Sequence, residues 1–216
     1  MKKQIALILA LILSLSAWAW VLAEEGEEPF CWSDPGKYLI NSLEPVKEIH
    51  NEEEAEAYAK ELWSVFSSEP YPEGTGDMNV DKADGSYHFG IYDDTDANVY
   101  SANFLGNGLV QAIGFYDKDE RWLTKGRFTE LNELDAERWA KSLDQIAAAV
   151  DKLNPGIMKL VGPMEKQRII DVGDKIYLML YAAPLDPEYV VGMHITAILY
   201  PDGTCVLKEF SCYGAG

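Results

Sequence analysis

The chain has 216 residues, with 18 basic against 36 acidic side chains, a formal charge of −18 and 48% apolar residues. So acidic a surface repels phosphate backbones and anionic lipid, which argues against nucleic acid and against adhesion to a membrane surface, while cations or a basic partner stay admissible. The apolar share is too high for a disordered chain and suffices for one good core or two small ones.

Lys2 and Lys3 precede an uncharged run from Ile5 to Ala23, and Val21-Leu22-Ala23 offers small residues where a signal peptidase cuts, so residues 1–23 read as a signal peptide. Ala17-Trp18-Ala19 is a second candidate for the cut. The run is 19 residues long, close to the roughly 20 that span a bilayer, and an uncleaved anchor with Trp18 and Trp20 at the outer interface is the alternative. Both readings place the body outside the cytoplasm, secreted or held to the membrane by that segment alone. No cysteine stands at a lipoprotein cut: Cys31 follows Glu28-Pro29-Phe30. Loss of residues 1–23 removes two lysines and no acids, leaving 16 basic against 36 acidic residues and a charge of −20.

Residues 24–50 read as an acidic leader into the fold, broken by Pro29, Pro35 and Gly36. A helix is expected from about Asn51 to Phe66. Asn51 and Glu54 have capping-box spacing, and Ala55, Tyr58, Ala59, Leu62, Val65 and Phe66 recur at helical steps. Residues 67–84, punctuated by Pro70, Pro72, Gly74 and Gly76, read as loop. Strands follow from Ser86 through Tyr87, Phe89 and Ile91, from Val99 to Leu105, and from Leu109 to Tyr116, the last two joined at Asn107-Gly108. A second helix is expected from Asp135 to Leu153, stopped by Asn154-Pro155-Gly156. Strands are then expected at 157–162, 166–172, 175–182, 189–200 and 204–212, the last two joined by Pro201-Asp202-Gly203.

The two halves share one order of elements. Helix ends at Phe66 and Leu153 lie 87 residues apart, the strands opening at Ser86 and Lys175 lie 89 apart, and hairpin glycines Gly108 and Gly203 lie 95 apart. The fold class expected is therefore α+β, with two helix-on-antiparallel-sheet units at 51–130 and 131–216 whose strands can join in one continuous sheet. A single irregular α+β domain is the alternative. The helix Glu53–Phe66 followed by Tyr87-His88-Phe89-Gly90-Ile91-Tyr92 and a Gly-turn hairpin resembles the helix-then-meander unit of exported PepSY-like domains. The hairpin Tyr189–Tyr200, Pro201-Asp202-Gly203, Thr204–Phe210 is similar to the closing strands of that unit. The resemblance covers most of residues 50–212 and implies a binding or peptidase-restraining module outside the cytoplasm. It carries over no functional residue.

Candidate chemistry is sparse. His50, His88 and His194 are isolated from one another, with no His-Glu-x-x-His pattern, and the nucleophile elbow, Ser-x-x-Lys and phosphate-binding glycine loops are absent from the sequence. Seven residues of strand separate Cys205 from Cys212, too far for a bridge along one straight strand, so Cys31 is the expected partner of one of them, Cys31–Cys212 being the pairing that ties the chain ends. Asp77-x-Asn79-x-Asp81 and Asp94-x-Asp96-x-Asn98 set oxygen ligands at alternate loop positions, as Ca²⁺ prefers, although the glycine and glutamate of the EF-hand loop are missing from both. No other cofactor is indicated. Trp63 and Trp139 read as core, and Trp122 as core or inter-unit packing, with an exposed sugar or peptide platform as the alternative. The functional expectation is a non-enzymatic interaction module with a protein or peptide partner. Its alternative is a secreted hydrolase of cell-wall or environmental polymer using carboxylates, with or without His88 and His194.

Overall fold

The computed structural model describes residues 38–67, 70–81, 85–93, 98–116, 128–189 and 191–212. Residues 1–23, expected to be a signal peptide, and Cys31, Asp94, Asp96 and Trp122 lie outside them. Residues 38–49 lead in through a 3-10 turn at Leu39–Ser42 and bury Leu39, Ile40 and Ile49.

Helix α1 spans Glu52–Phe66. Asn51 Oδ1 accepts the Glu54 N–H at 2.9 Å, while the Glu54 carboxylate turns back to accept the His50 N–H at 2.9 Å. One of the donors that a helix start leaves unpaired is thereby satisfied, and the residue before the cap is tied back to the first turn. Its buried stripe is Ala55, Tyr58, Ala59, Leu62, Trp63 and Phe66. Val65, expected on that stripe, is 37% exposed. Trp63 replaces it because position 63 lies one turn from both Ala59 and Phe66.

Four strands follow as a meander: β1 (Thr75–Asp81), β2 (Ser86–Tyr92), β3 (Asn98–Leu105) and β4 (Val110–Phe115). After a two-residue strand β5 (Thr129–Glu130) comes helix α2 (Ala136–Leu153), capped by Asp135, which accepts the Arg138 N–H at 2.8 Å. A second meander closes the chain: β6 (Glu165–Asp171), β7 (Ile176–Ala182), β8 (Met193–Leu199) and β9 (Cys205–Ser211). The nine strands among the described residues form one antiparallel sheet in the order β1-β2-β3-β4-β9-β8-β7-β6-β5. The last strands of the two meanders, β4 and β9, thus meet in its middle. The α+β class and the continuous sheet expected from the pattern are what the chain adopts.

β5 is not announced by the pattern and β8 opens at Met193 and not at 189; two further segments change their element type. Thr75–Asp81, taken as loop, is strand β1. Its glycine, asparagine and aspartates carry little strand preference of their own, and its conformation is set by pairing with the aromatic β2. Residues 157–162, taken as strand, open with a 3-10 turn at Ile157–Lys159, in which Lys159 N–H bonds Gly156 O and Leu160 N–H bonds Ile157 O. A short apolar run carries no period that separates strand from helical turn, and the left-handed Gly156 (φ 88°) resolves it by turning the chain back after α2.

Both helices lie on one face of the sheet and against each other. That face holds the main core, including Tyr100, Phe104, Ile113, Leu178, Leu180, Leu207 and Phe210. Tyr58 Oη donates to Gly108 O at 2.6 Å and Tyr100 Oη to Ala59 O at 2.8 Å, locking α1 onto the first meander. Gly108 is needed there twice over: its φ is +79°, and a Cβ would meet the Lys47 backbone at 2.8 Å. Burial, aided by the charge of Glu61, pushes the Tyr58 phenol up to about 12, and burial raises Tyr100 further. In the unfolded chain these phenols ionise near pH 10. Their contribution to stability is therefore complete below pH 10 and is lost as pH rises toward 12. An alkaline titration should show that Tyr58 and Tyr100 ionise only together with loss of near-ultraviolet dichroism. Full tyrosinate absorbance before unfolding would contradict this.

Candidate functional site

Between its long strands, the sheet is most sparsely paired in the middle. β4 and β9 pair through three residues only, Ala112 with Ser211, Ile113 with Phe210 and Gly114 with Glu209, whereas other long neighbours pair through five to seven. Continuing that register would set Phe115 against Lys208. Instead β9 bulges: Thr196 of β8 lies opposite Glu209 and Ala197 opposite Leu207, leaving Lys208 as the extra residue. Its side chain takes over the missing rung. Lys208 is 5% exposed, and its ammonium donates to Phe115 O at 2.8 Å while lying 5.4 Å from the Phe115 ring centre and 5.3 Å from that of Tyr116.

Where the strands splay, a cleft of about 560 Å³ opens. Trp63, Pro70 and Pro72 from α1 and the segment after it, with Phe115 at the end of β4 and Tyr116 just beyond it, form one wall; Ile198, Tyr200 and Val206 of the β8–β9 hairpin form the other. Trp63 stands edge-on to Phe115 at 5.8 Å and to Tyr100 at 5.1 Å, so the aromatic wall is continuous with the core. Lys175 and Asp202 supply the charge at the rim. Among the described residues that line the cleft, Asp202 is the one carboxylate. Its pKa is lowered by the Thr204 backbone N–H and then the Thr204 hydroxyl, the signature of a turn aspartate held ionised.

On the face away from the helices, cross-strand neighbours form continuous rows. One runs Asn79, His88, Asn103, Ala112, Ser211, His194, Tyr181. Both strand histidines lie on it, yet four strand spacings separate them, about 19 Å, too far to share a metal or a substrate atom. His88 Nε2 lies 3.2 Å from Ser86 Oγ, but Ser86 is 1% exposed and presents no approach to a substrate. His194 packs on Tyr181 with ring centres 4.8 Å apart. It shares a depression of about 130 Å³ with Thr196, Glu209 and Ser211.

Asp77, Asn79 and Asp81 lie on one face of β1, where alternate residues stand roughly 7 Å apart and cannot all reach a cation at calcium distances. Asn98 opens β3, and its companions Asp94 and Asp96 lie outside the described residues. Among the described residues no group of three His, Cys, Asp or Glu side chains is placed to hold a metal ion. Among the described residues Cys205 and Cys212 are buried and not bridged to each other, and Cys31, the expected partner of one of them, lies outside those residues. Burial pushes the Cys205 thiol up to about 11 and the Cys212 thiol higher still, opposite to what a nucleophile needs.

The chain matches no family model, no curated protein and no solved structure. Among the described residues no helix is long and apolar enough to cross a membrane. The cleft itself went unseen in the sequence because its walls come from segments more than eighty residues apart. One signal was present: the alternation Cys205, Leu207 slips by a residue before Phe210 and Cys212, as a strand carrying a bulge does.

Proposed function

We propose that the chain is an exported, non-enzymatic binding module, a tandem of two helix-on-sheet units that takes an apolar or aromatic side chain of a protein or peptide partner in the seam cleft. The observation that carries this reading is the lining of the cleft: aromatic, proline and aliphatic walls contributed by both meanders, with a single carboxylate among the described residues that line it. Pockets of that character, with few convergent polar groups, suit binding. A carboxylate-dependent hydrolase needs two acids facing each other across the substrate. The order helix, meander, helix, meander supports the tandem reading and keeps the likeness to PepSY-like modules in play.

The test is capture by the immobilised full chain and by the double variant Tyr116→Ala/Tyr200→Ala, applied to envelope and culture-medium proteins of the producing cell. Tyr116 is 41% exposed, so its truncation spares the core. A protein retained by the parent chain and lost with the variant is expected; equal retention, or none by the parent, would sink the proposal. Export has its own readout. N-terminal sequencing of the chain recovered outside the cytoplasm should begin at Glu24, and an intact Met1 in the membrane fraction would mean a tether instead.

A further inference from the structure

The sheet has two edges, and they are guarded very differently. At the β5 edge the outermost strand is two residues long, β6 carries a register shift between Lys166 and Arg168, and Leu131 N–H caps Ile169 O. Lys166 Nζ reaches over to Asn132 O, and Arg168 grips Glu130 through two nitrogens at 3.2 Å each. Short strands, bulges and long basic side chains are the ordinary means of blocking an edge.

β1 has none of them. It pairs with β2 through seven consecutive residues without a bulge, and it contains no proline and no lysine. Thr75, Gly76, Asp77, Asn79 and Asp81 are exposed. Asp81 O accepts the Gly85 N–H at 3.0 Å on the β2 side. By the alternation of an antiparallel ladder, Met78 and Val80 then turn their N–H and C=O outward. Their half-buried side chains stand beside Phe89 and Tyr87 and continue the helix-side core to the rim of the sheet. The opposite face of the strand carries the Asp77 and Asp81 charges.

A second copy of the chain fits this edge badly. Antiparallel pairing of two β1 strands about Asn79 sets Asp77 against Asp81, and each copy carries a charge of −18. The same charges favour a strand of opposite sign, so the edge selects by charge what its backbone would otherwise accept from any extended chain.

We propose that β1 is a docking edge for an extended segment of a partner protein, in which apolar residues alternate with basic ones. The segment adds as a tenth strand: its main chain bonds the outward groups of Met78 and Val80, its apolar side chains extend the shelf beside them, and its basic side chains lie over Asp77 and Asp81. The site rests on the reading of the chain as a binding module but uses a different surface from the cleft.

The test measures fluorescence anisotropy of the full chain with a short acetylated and amidated peptide of alternating valine and lysine, against the same peptide with glutamate for lysine. The lysine peptide should bind saturably and the glutamate peptide should not. Asp77→Lys/Asp81→Lys should weaken the lysine peptide by about tenfold and admit the glutamate peptide. Met78→Pro, which removes an outward donor without touching charge, should abolish binding while far-ultraviolet dichroism stays intact. Tyr116→Ala/Tyr200→Ala should leave peptide binding unchanged, so failure of the cleft reading and failure of the edge reading are separable. No saturable binding, equal binding of the two peptides, or indifference to the charge reversal would overturn the proposal. So would a concentration-dependent dimer that Met78→Pro dissolves, which would assign the edge to a second copy.

Discussion

Asn154→Ala should cost about 3–4 kcal/mol of folding stability and lower the melting temperature by roughly 10 °C. Asn154 follows the last turn of α2 and is fully buried. Its amide acts as one more rung for β4: Oδ1 accepts the Val110 N–H at 2.8 Å, and Nδ2 donates to Val110 O at 2.7 Å. Val110 is itself 0% exposed, so no water can replace either bond. Alanine would strand a donor outright, while the carbonyl would keep the weak Cys212 Sγ–H contact at 3.4 Å. Asn154→Asp distinguishes this account from simple loss of volume. It preserves the acceptor, deletes the donor and buries a charge beside a carbonyl, and should be at least as damaging despite its near-identical size. Urea unfolding of the two variants gives both values, and an aspartate variant as stable as the parent would refute the two-bond account.

The same residue shows how far the sequence was legible. Asn154-Pro155-Gly156 announces the end of a helix from local chemistry alone, and the helix does end there. That the asparagine also serves β4, 44 residues earlier, is a tertiary fact with no local signature. The cap at Asn51 and the hairpins at Gly108 and Gly203 were readable for the same reason: each is decided within a few residues by backbone chemistry. β1 was not, because its strand state is borrowed from β2. The cleft was not, because it exists where β4 and β9 stop pairing, and the loss of register between strands nearly a hundred residues apart is written only as the slipped alternation around Lys208. Candidate ligands fared likewise. Asp77, Asn79 and Asp81 promised a gathered set only while their segment was taken as loop, and the extended backbone of β1 spreads them along an edge.

Lys208→Met carries the second large effect and bears on both stability and binding. Methionine keeps the length and much of the apolar volume of the lysine stem but cannot donate to Phe115 O or sit as a cation over the rings of Phe115 and Tyr116. A charge-assisted bond to a carbonyl of this kind contributes about 1.5–3 kcal/mol, so a loss of roughly 2 kcal/mol is expected in urea unfolding. The loss should be local as well as global. Lys208 holds the strands where their own pairing ends, so amide exchange should accelerate at Gly114, Phe115 and Glu209 well before it does in the β2–β3 or β7–β8 ladders. Because Phe115 and Tyr116 form one wall of the cleft, a slackened seam should also weaken capture of a cleft partner without removing any lining residue. Lys208→Arg tests the geometry, since its bulkier planar head keeps the charge but must find room over two rings and a carbonyl in a site built for a compact ammonium. Partial recovery of stability with impaired capture is the expected result for arginine. Unchanged exchange at Gly114 and Phe115 in Lys208→Met would mean that the seam is held by the helices beneath it and not by the lysine.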